Sequence, residues 1–249
     1  MPNRMIVFGA SLVAAFIFIL LMNQVLPAEA GRILLDNGET GLFPFSIQNA
    51  MWIAFFIGLG ECFMHTRSAT LEEGQLKRGY LPEDDSTVLK AGDDLAEIYR
   101  KVKASRYRDR AFLPRVVERC ILQYNMSKSV DQTNSLLNSS LEMFMHEIDL
   151  RYNIIRYITW LIPSLGFIGT VLGIMLALQY AGNTVNQGDD LLFQVAGRLG
   201  VAFTTTLVAL VMAAILVLIQ NLVQAREERA LNKSGQYALD NLINRLYQS

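Results

Sequence analysis

The sequence has few charged residues for its length and almost no cysteine or histidine. Of its 249 residues, 18% are charged and 52% are hydrophobic, and the formal net charge is −1. A chain this apolar is typical of a membrane protein rather than of a soluble domain. Because basic residues are not in excess, nothing in the composition favours binding to nucleic acid.

Motifs of metal, redox and hydrolytic chemistry are missing. The two cysteines, Cys62 and Cys120, lie far apart, and the two histidines, His65 and His146, stand alone. Such spacing supports neither a disulfide framework nor a metal site. The sequence also lacks a P-loop, an HExxH motif and a nucleophile elbow. We therefore expect a protein that is not an enzyme and that holds no cofactor.

Four apolar runs are long enough to cross a bilayer core of roughly 30 Å, which takes about 20 helical residues. They are residues 5–26, 47–64, 160–180 and 195–222. The first run also resembles a secretory signal, because Arg4 precedes it and AEA follows it at 28–30. It is longer than the usual signal core of about 7–15 residues, so we expect it to be retained as a span.

Lysine and arginine are unevenly distributed between these runs. Residues 65–153 hold fourteen of the twenty-two, whereas the 27–46 connection has only Arg32 and the 181–194 connection has none. By the positive-inside rule, the long segment is cytoplasmic, and both termini face the cytoplasm with it.

The pattern outside the apolar runs is helical, without an alternating strand run. We predict an all-α membrane protein with four transmembrane helices, long helical extensions into the cytoplasm and a small cytoplasmic helical bundle. The predicted segments are two spans in 1–64, a cytoplasmic helical segment at 65–153, two spans in 154–225 and a cytoplasmic helical tail at 226–249. Apolar spacing from Val130 onward predicts one long helix that enters the membrane and bends near Pro163.

The third and fourth runs each have a helical face of small residues. On the third run this face holds Gly166, Thr170, Gly173 and Ala177. The fourth run repeats the same spacing with Ala202, Thr206, Ala209 and Ala213, and Thr205 lies just beside it. Glycine costs a helix about 1 kcal/mol relative to alanine, so a close approach to the backbone is expected here.

Two interpretations of these faces remain open. They pack helices together, as Gly169 and Gly173 in a GxxxG motif commonly do in spans. Alternatively, they line a narrow passage or receive a partner helix. The hydroxyls of Thr170 and Thr206 are then polar groups that an ion can contact as it crosses.

Two stretches resemble a known family. PSLGFIGTVLGIM at 163–175 is similar to the signature of the MotA/TolQ/ExbB proton channel family, and AFTTTLVAL at 202–210 resembles that family's other pore helix. The resemblance implies that 154–225 holds the pore-lining helices and 1–64 the peripheral ones. It implies an ion pathway along Thr170, Thr206 and the neighbouring Thr205. The residues expected to pack against a partner helix are Pro163, Gly166, Gly169, Gly173, Ala177, Ala202, Ala209 and Ala213.

The resemblance also implies an assembly and a function. Members form rings, typically homopentamers, around two copies of a one-span, aspartate-bearing partner of MotB/TolR/ExbD type. The chain would then be a stator-type ion-channel subunit of a motor in the bacterial inner membrane, driven by protons or sodium ions and powering a mechanical or transport task in the envelope. A membrane scaffold, or a subunit of a substrate transporter, packed through small-residue faces, is the alternative.

The spans contain few charges of their own. Glu61 lies near the inner end of the second run and Arg198 near the outer end of the fourth. Each is either a gating charge or a side chain at the membrane interface, in contact with lipid headgroups. Neither lies on a small-residue face. Proton relay requires an ionisable group at depth, so we expect a carboxylate from another chain.

Overall fold

The computed structural model of the chain describes residues 4–35, 46–84, 89, 92–183 and 188–246. Within these ranges the regular structure is helical, and strand-like pairing is limited to a parallel bridge between Leu89 and Leu246. Residues 36–45 and 184–187, in the two predicted outer connections, lie outside the described residues. The helices are α1 Arg4–Val25, α2 Ala28–Leu35, α3 Ile47–Leu76, α4 Asp93–Lys103, α5 Phe112–Ser127, α6 Val130–Arg151, α7 Asn153–Asn183, α8 Gly188–Asn241 and a 3-10 turn at Ile243–Arg245.

Four helical segments are long and apolar enough to cross a membrane. They are Arg4–Val25, Ile47–Leu76, Val130–Asn183 and Leu191–Arg245. This agrees with the four spans predicted from the sequence. The described residues are therefore those of a helical, multi-pass membrane protein.

The helix that leads into the third span is interrupted earlier than the sequence suggested. The interruption is at Tyr152, between the end of α6 and the start of α7. Pro163 lies inside α7, which continues through it. Tyr152 is fully buried, and its hydroxyl donates a hydrogen bond to Glu227 over 3.1 Å. Tyrosine is not a helix breaker, so the sequence pattern does not reveal an interruption at this position.

The chain forms two compact units. The apolar unit comprises Pro2–Met64 and Ile154–Asn221, and the polar unit comprises His65–Asn153 and Leu222–Ser249. α8 continues without interruption from the fourth span into the tail, as the sequence predicted.

In the apolar unit, the first part of α3 packs against α1, α7 and α8. The Phe18 ring on α1 lies 4.7 Å from Trp52 and 5.1 Å from Phe56 on α3, measured between ring centroids. A Cβ atom at Gly58 would lie 2.6 Å from Leu216 on α8 and 3.4 Å from Ile158 on α7. Gly58 thus allows three helices to approach each other closely.

In the polar unit, α5 and α6 pack through aromatic and basic side chains. The rings of Phe112 and Phe144 lie 5.1 Å apart, and the Arg115 guanidinium lies 4.3 Å from the Phe144 ring centroid. Ser129 caps α6 by accepting a hydrogen bond from the Gln132 backbone N–H. The ring and guanidinium contacts hold α5 and α6 against each other in the polar unit, and the predicted bundle stays a prediction.

Candidate functional site

The small-residue faces of α7 and α8 pack against each other within the chain. A Cβ atom at Gly166 would collide with the Ala209 Cβ, and one at Gly173 would lie 2.6 Å from the Ala202 Cβ and 3.3 Å from its Cα. Two helices approach this closely only where side chains are absent or small. The sequence predicted that these small-residue faces leave space for a partner helix. At Gly166 and Gly173 that space is occupied by α8 of the same chain.

The other small residues assigned to partner packing have mixed environments. Ala177 and Ala213 are buried, whereas Pro163 is half-buried. Their contact with a partner stays a prediction.

Thr170 and Thr206 meet at the centre of this helix pair. Their hydroxyl oxygens lie 2.5 Å apart. The Thr170 hydroxyl also lies 2.9 Å from the Ala202 carbonyl oxygen, and the Thr206 hydroxyl lies 3.0 Å from that of Gly166. Each hydroxyl has one proton, so each donates to one acceptor at a time. The pair can therefore exchange donor and acceptor roles without moving its backbone.

Thr205 points away from this pair. Its hydroxyl donates to the Val201 carbonyl and accepts a hydrogen bond of 3.0 Å from Gln48 Nε2 on α3. Its methyl group lies on the other side, where a Cβ at Gly169 would be 2.8 Å away. Gln48 is not among the site residues predicted from the sequence, although a glutamine within an apolar run is a signal that could have indicated it.

The two candidate gating charges each have a partner. Arg4 donates to both carboxylate oxygens of Glu61 over 3.1 and 3.2 Å. The Arg198 guanidinium lies 4.5 Å from the centroid of the Tyr180 ring. Neither charge contacts Thr170 or Thr206, and a gating role stays a prediction.

A buried charge network in the polar unit was also missed. The Glu227 side chain is fully buried and accepts hydrogen bonds from Tyr152 and from Arg151, the latter over 3.3 Å. His65 Nδ1 lies 3.2 Å from the same carboxylate. Buried carboxylates persist when they are paired in this way. The described residues form no cluster of acidic, histidine and cysteine side chains that fits a metal ion.

Glu72 lies beside this network, beyond the apolar part of α3, which ends at Met64. Its carboxylate is 1% exposed and accepts a 2.9 Å hydrogen bond from the Phe112 N–H, at the start of α5. Ala111, the residue before the helix, has no side chain that can cap it. Burial raises the pKa of Glu72 to about 7, and the nearby charge of Glu227 adds to this, while the Phe112 N–H opposes it.

More than half of this chain matches one known protein family. Residues 106–235 match the MotA/TolQ/ExbB proton channel family. The chain belongs to this family. The resemblance found in the sequence is thereby confirmed, and the match includes Thr170, Thr206 and the small faces of α7 and α8. It begins after α4, so it does not include Gln48. A comparison with curated proteins found no match.

Membership indicates a proton channel that functions in a membrane complex with a partner.

Proposed function

We propose that this chain is the ion-channel subunit of a motor driven by the ion gradient across a bacterial inner membrane. The observation that carries the proposal is the hydroxyl pair of Thr170 and Thr206, 2.5 Å apart between the two helices that the family match covers. A pair of hydroxyls that exchange donor and acceptor roles offers a proton or a sodium ion a polar step through an apolar layer.

The carboxylate that such transport needs comes from a second protein. Glu61 is the one carboxylate in the four apolar runs, and it is paired with Arg4 rather than placed near the threonines. A one-span, aspartate-bearing partner of MotB/TolR/ExbD type would supply the missing group, in two copies. Because the faces of α7 and α8 are closed on each other, the partner would approach the threonines from the side of this helix pair.

We propose a homopentameric ring around that partner, with residues 65–153 and both termini in the cytoplasm. Large apolar side chains are exposed on both helices, among them Phe167 and Val171 on α7 and Phe203 and Leu207 on α8. They support contact with lipid and with further copies of the chain. Each charge that crosses would supply about 2.3 kcal/mol per 100 mV of membrane potential, and the envelope process powered by this energy is mechanical or transport work.

A membrane scaffold is the second candidate, and one observation favours it. Gly166 and Gly173 face Ala209 and Ala202 within the chain. Tight packing of two helices explains these residues without ion flow.

Valine substitutions separate the two functions. Thr170→Val and Thr206→Val each remove a hydroxyl and keep a branched side chain. The channel proposal expects complex formation with the co-purified one-span protein to persist and gradient-driven proton uptake into liposomes to be lost. Thr204→Val is the matched control, because the acceptors within reach of the Thr204 hydroxyl, the Gly200 and Val201 carbonyls, belong to its own helix. If both variants keep full ion uptake, the threonines are packing residues.

A further inference from the structure

The start of α3 is held in place by side chains around Ser46. The Ser46 hydroxyl accepts a hydrogen bond of 3.2 Å from the Asn49 N–H, as a helix cap does, and donates one of 3.0 Å to the Leu35 carbonyl at the end of α2. The Trp52 ring nitrogen donates to the Leu34 carbonyl over 3.1 Å. Gln48, in the first turn of α3, is therefore attached to a fixed backbone.

Gln48 directs its amide to a single hydroxyl on α8. Gln48 is 5% exposed and Thr205 is 2% exposed, and the amide nitrogen donates to the hydroxyl over 3.0 Å. The Thr205 proton is used by the Val201 carbonyl, so Thr205 can only accept from Gln48. A buried amide in a membrane span is costly unless it is paired, and this bond satisfies one of its N–H groups.

Thr205 is also fixed on its other side. Its methyl group lies where Gly169 of α7 leaves room, because a Cβ there would be 2.8 Å from the methyl carbon. Neighbouring residues of a helix point about 100° apart. Holding Thr205 between α3 and α7 thus sets the direction in which Thr206 points, which is toward Thr170.

We propose that Gln48 is a positioning residue for ion transport: its hydrogen bond to Thr205 sets the rotation of α8 that brings Thr206 to Thr170. This inference rests on the proposed channel function. Gln48 lies outside residues 106–235, so the family match does not account for it. Thr205, which the sequence placed in the ion pathway, acts in this view as the link between α3 and the hydroxyl pair.

The test compares ion flux with stability in variants of the full chain, each reconstituted with its co-purified partner. Gln48→Met keeps the length of the side chain and removes the donor. We expect proton flux to fall roughly tenfold, because misplacing a reacting group by even 1 Å has effects of this order or larger. Thr205→Ser keeps the hydroxyl that accepts from Gln48 but removes the methyl group beside Gly169, so it should lose less flux than Gln48→Met. Gln24→Met on α1 is the matched control at an exposed glutamine and should behave like the unchanged chain.

The double variant Gln48→Met with Thr205→Val distinguishes positioning from simple stabilisation. Removing both partners leaves no buried polar group unsatisfied, so the melting temperature should recover toward that of the unchanged chain. If Gln48 positions the hydroxyl pair, flux stays low in this variant. Recovery of flux together with stability would overturn the proposal. If Gln48→Met does not fold, Thr205→Val tests the same bond from α8.

Two further outcomes are decisive. Full flux in a folded Gln48→Met variant, with flux abolished by Thr170→Val, would refute the positioning role and leave the channel function standing. Full flux in Thr170→Val and in Thr206→Val would overturn both.

Discussion

Replacing Glu72 by glutamine should stabilise the polar unit at alkaline pH and leave it unchanged in acid. The pKa of Glu72 rises from an ordinary value of 4.5 to about 7 in the folded chain, so the folded state binds the proton more tightly than the unfolded state does. This stabilisation is fully present below about pH 4.5 and is lost as the pH rises through about 7. Glutamine imitates the protonated form at every pH and can still accept the Phe112 N–H.

The size of the effect follows from the pKa difference. A rise from 4.5 to about 7 corresponds to about 3 kcal/mol, since each pH unit between these values is worth about 1.4 kcal/mol. At pH 8 the variant should therefore resist opening of the polar unit more strongly by about this amount, which is roughly a few hundredfold in the opening equilibrium.

Cys120 provides the probe for this measurement. It lies on α5, is 1% exposed, and burial raises the pKa of its thiol to about 12, so it reacts only when the unit opens. Cys62→Ala leaves Cys120 as the single cysteine of the chain. In this background and in mild detergent, the alkylation rate of the full-length chain is compared with and without Glu72→Gln at each pH from 5 to 8.5. The effect of pH on the reagent and on the thiol cancels in this ratio.

Glu73→Gln is the matched control, one residue further along α3. The Arg226 guanidinium, 2.7 Å away, lowers the pKa of Glu73, which is the opposite direction. This variant should lose at most about 1 kcal/mol, as expected for an exposed ion pair. A ratio for Glu72→Gln that does not change with pH, or faster alkylation of that variant at pH 8, would refute the assignment of a proton to Glu72.

Two other predictions concern the apolar unit. Gly173→Leu should reduce recovery of folded chain and ion flux together, because a side chain there collides with Ala202. Gly182→Leu should be tolerated, because among the described residues nothing outside its own stretch of helix lies within 4 Å of its Cβ position. Equal recovery of both variants would contradict the packing of α7 on α8. The purified chain alone in liposomes should not dissipate an imposed proton gradient until the partner is added, since an unpaired ion in an apolar passage costs several kcal/mol. Rapid dissipation by the chain alone would show that no external carboxylate is needed.

The sequence by itself determined the features that depend on local pattern. The number of spans follows from the length of apolar runs, because the bilayer core sets how many helical residues are needed. The small faces of the third and fourth spans follow from helical periodicity, which places Thr170 beside Gly166 and Thr206 beside Ala202. The family could also be identified from the sequence, at 163–175 and 202–210, and the family match confirms this identification.

Tertiary structure alone decided which groups these faces meet. A small-residue stripe has the same pattern whether it packs within the chain or against a partner, so the contact of Gly166 with Ala209 was not predictable from spacing. Gln48 binds Thr205 across 157 residues, and Glu72 caps α5 at Phe112, 40 residues away. Hydrogen bonds between distant segments depend on which helix faces become buried together, and the periodicity of a single helix does not contain that information.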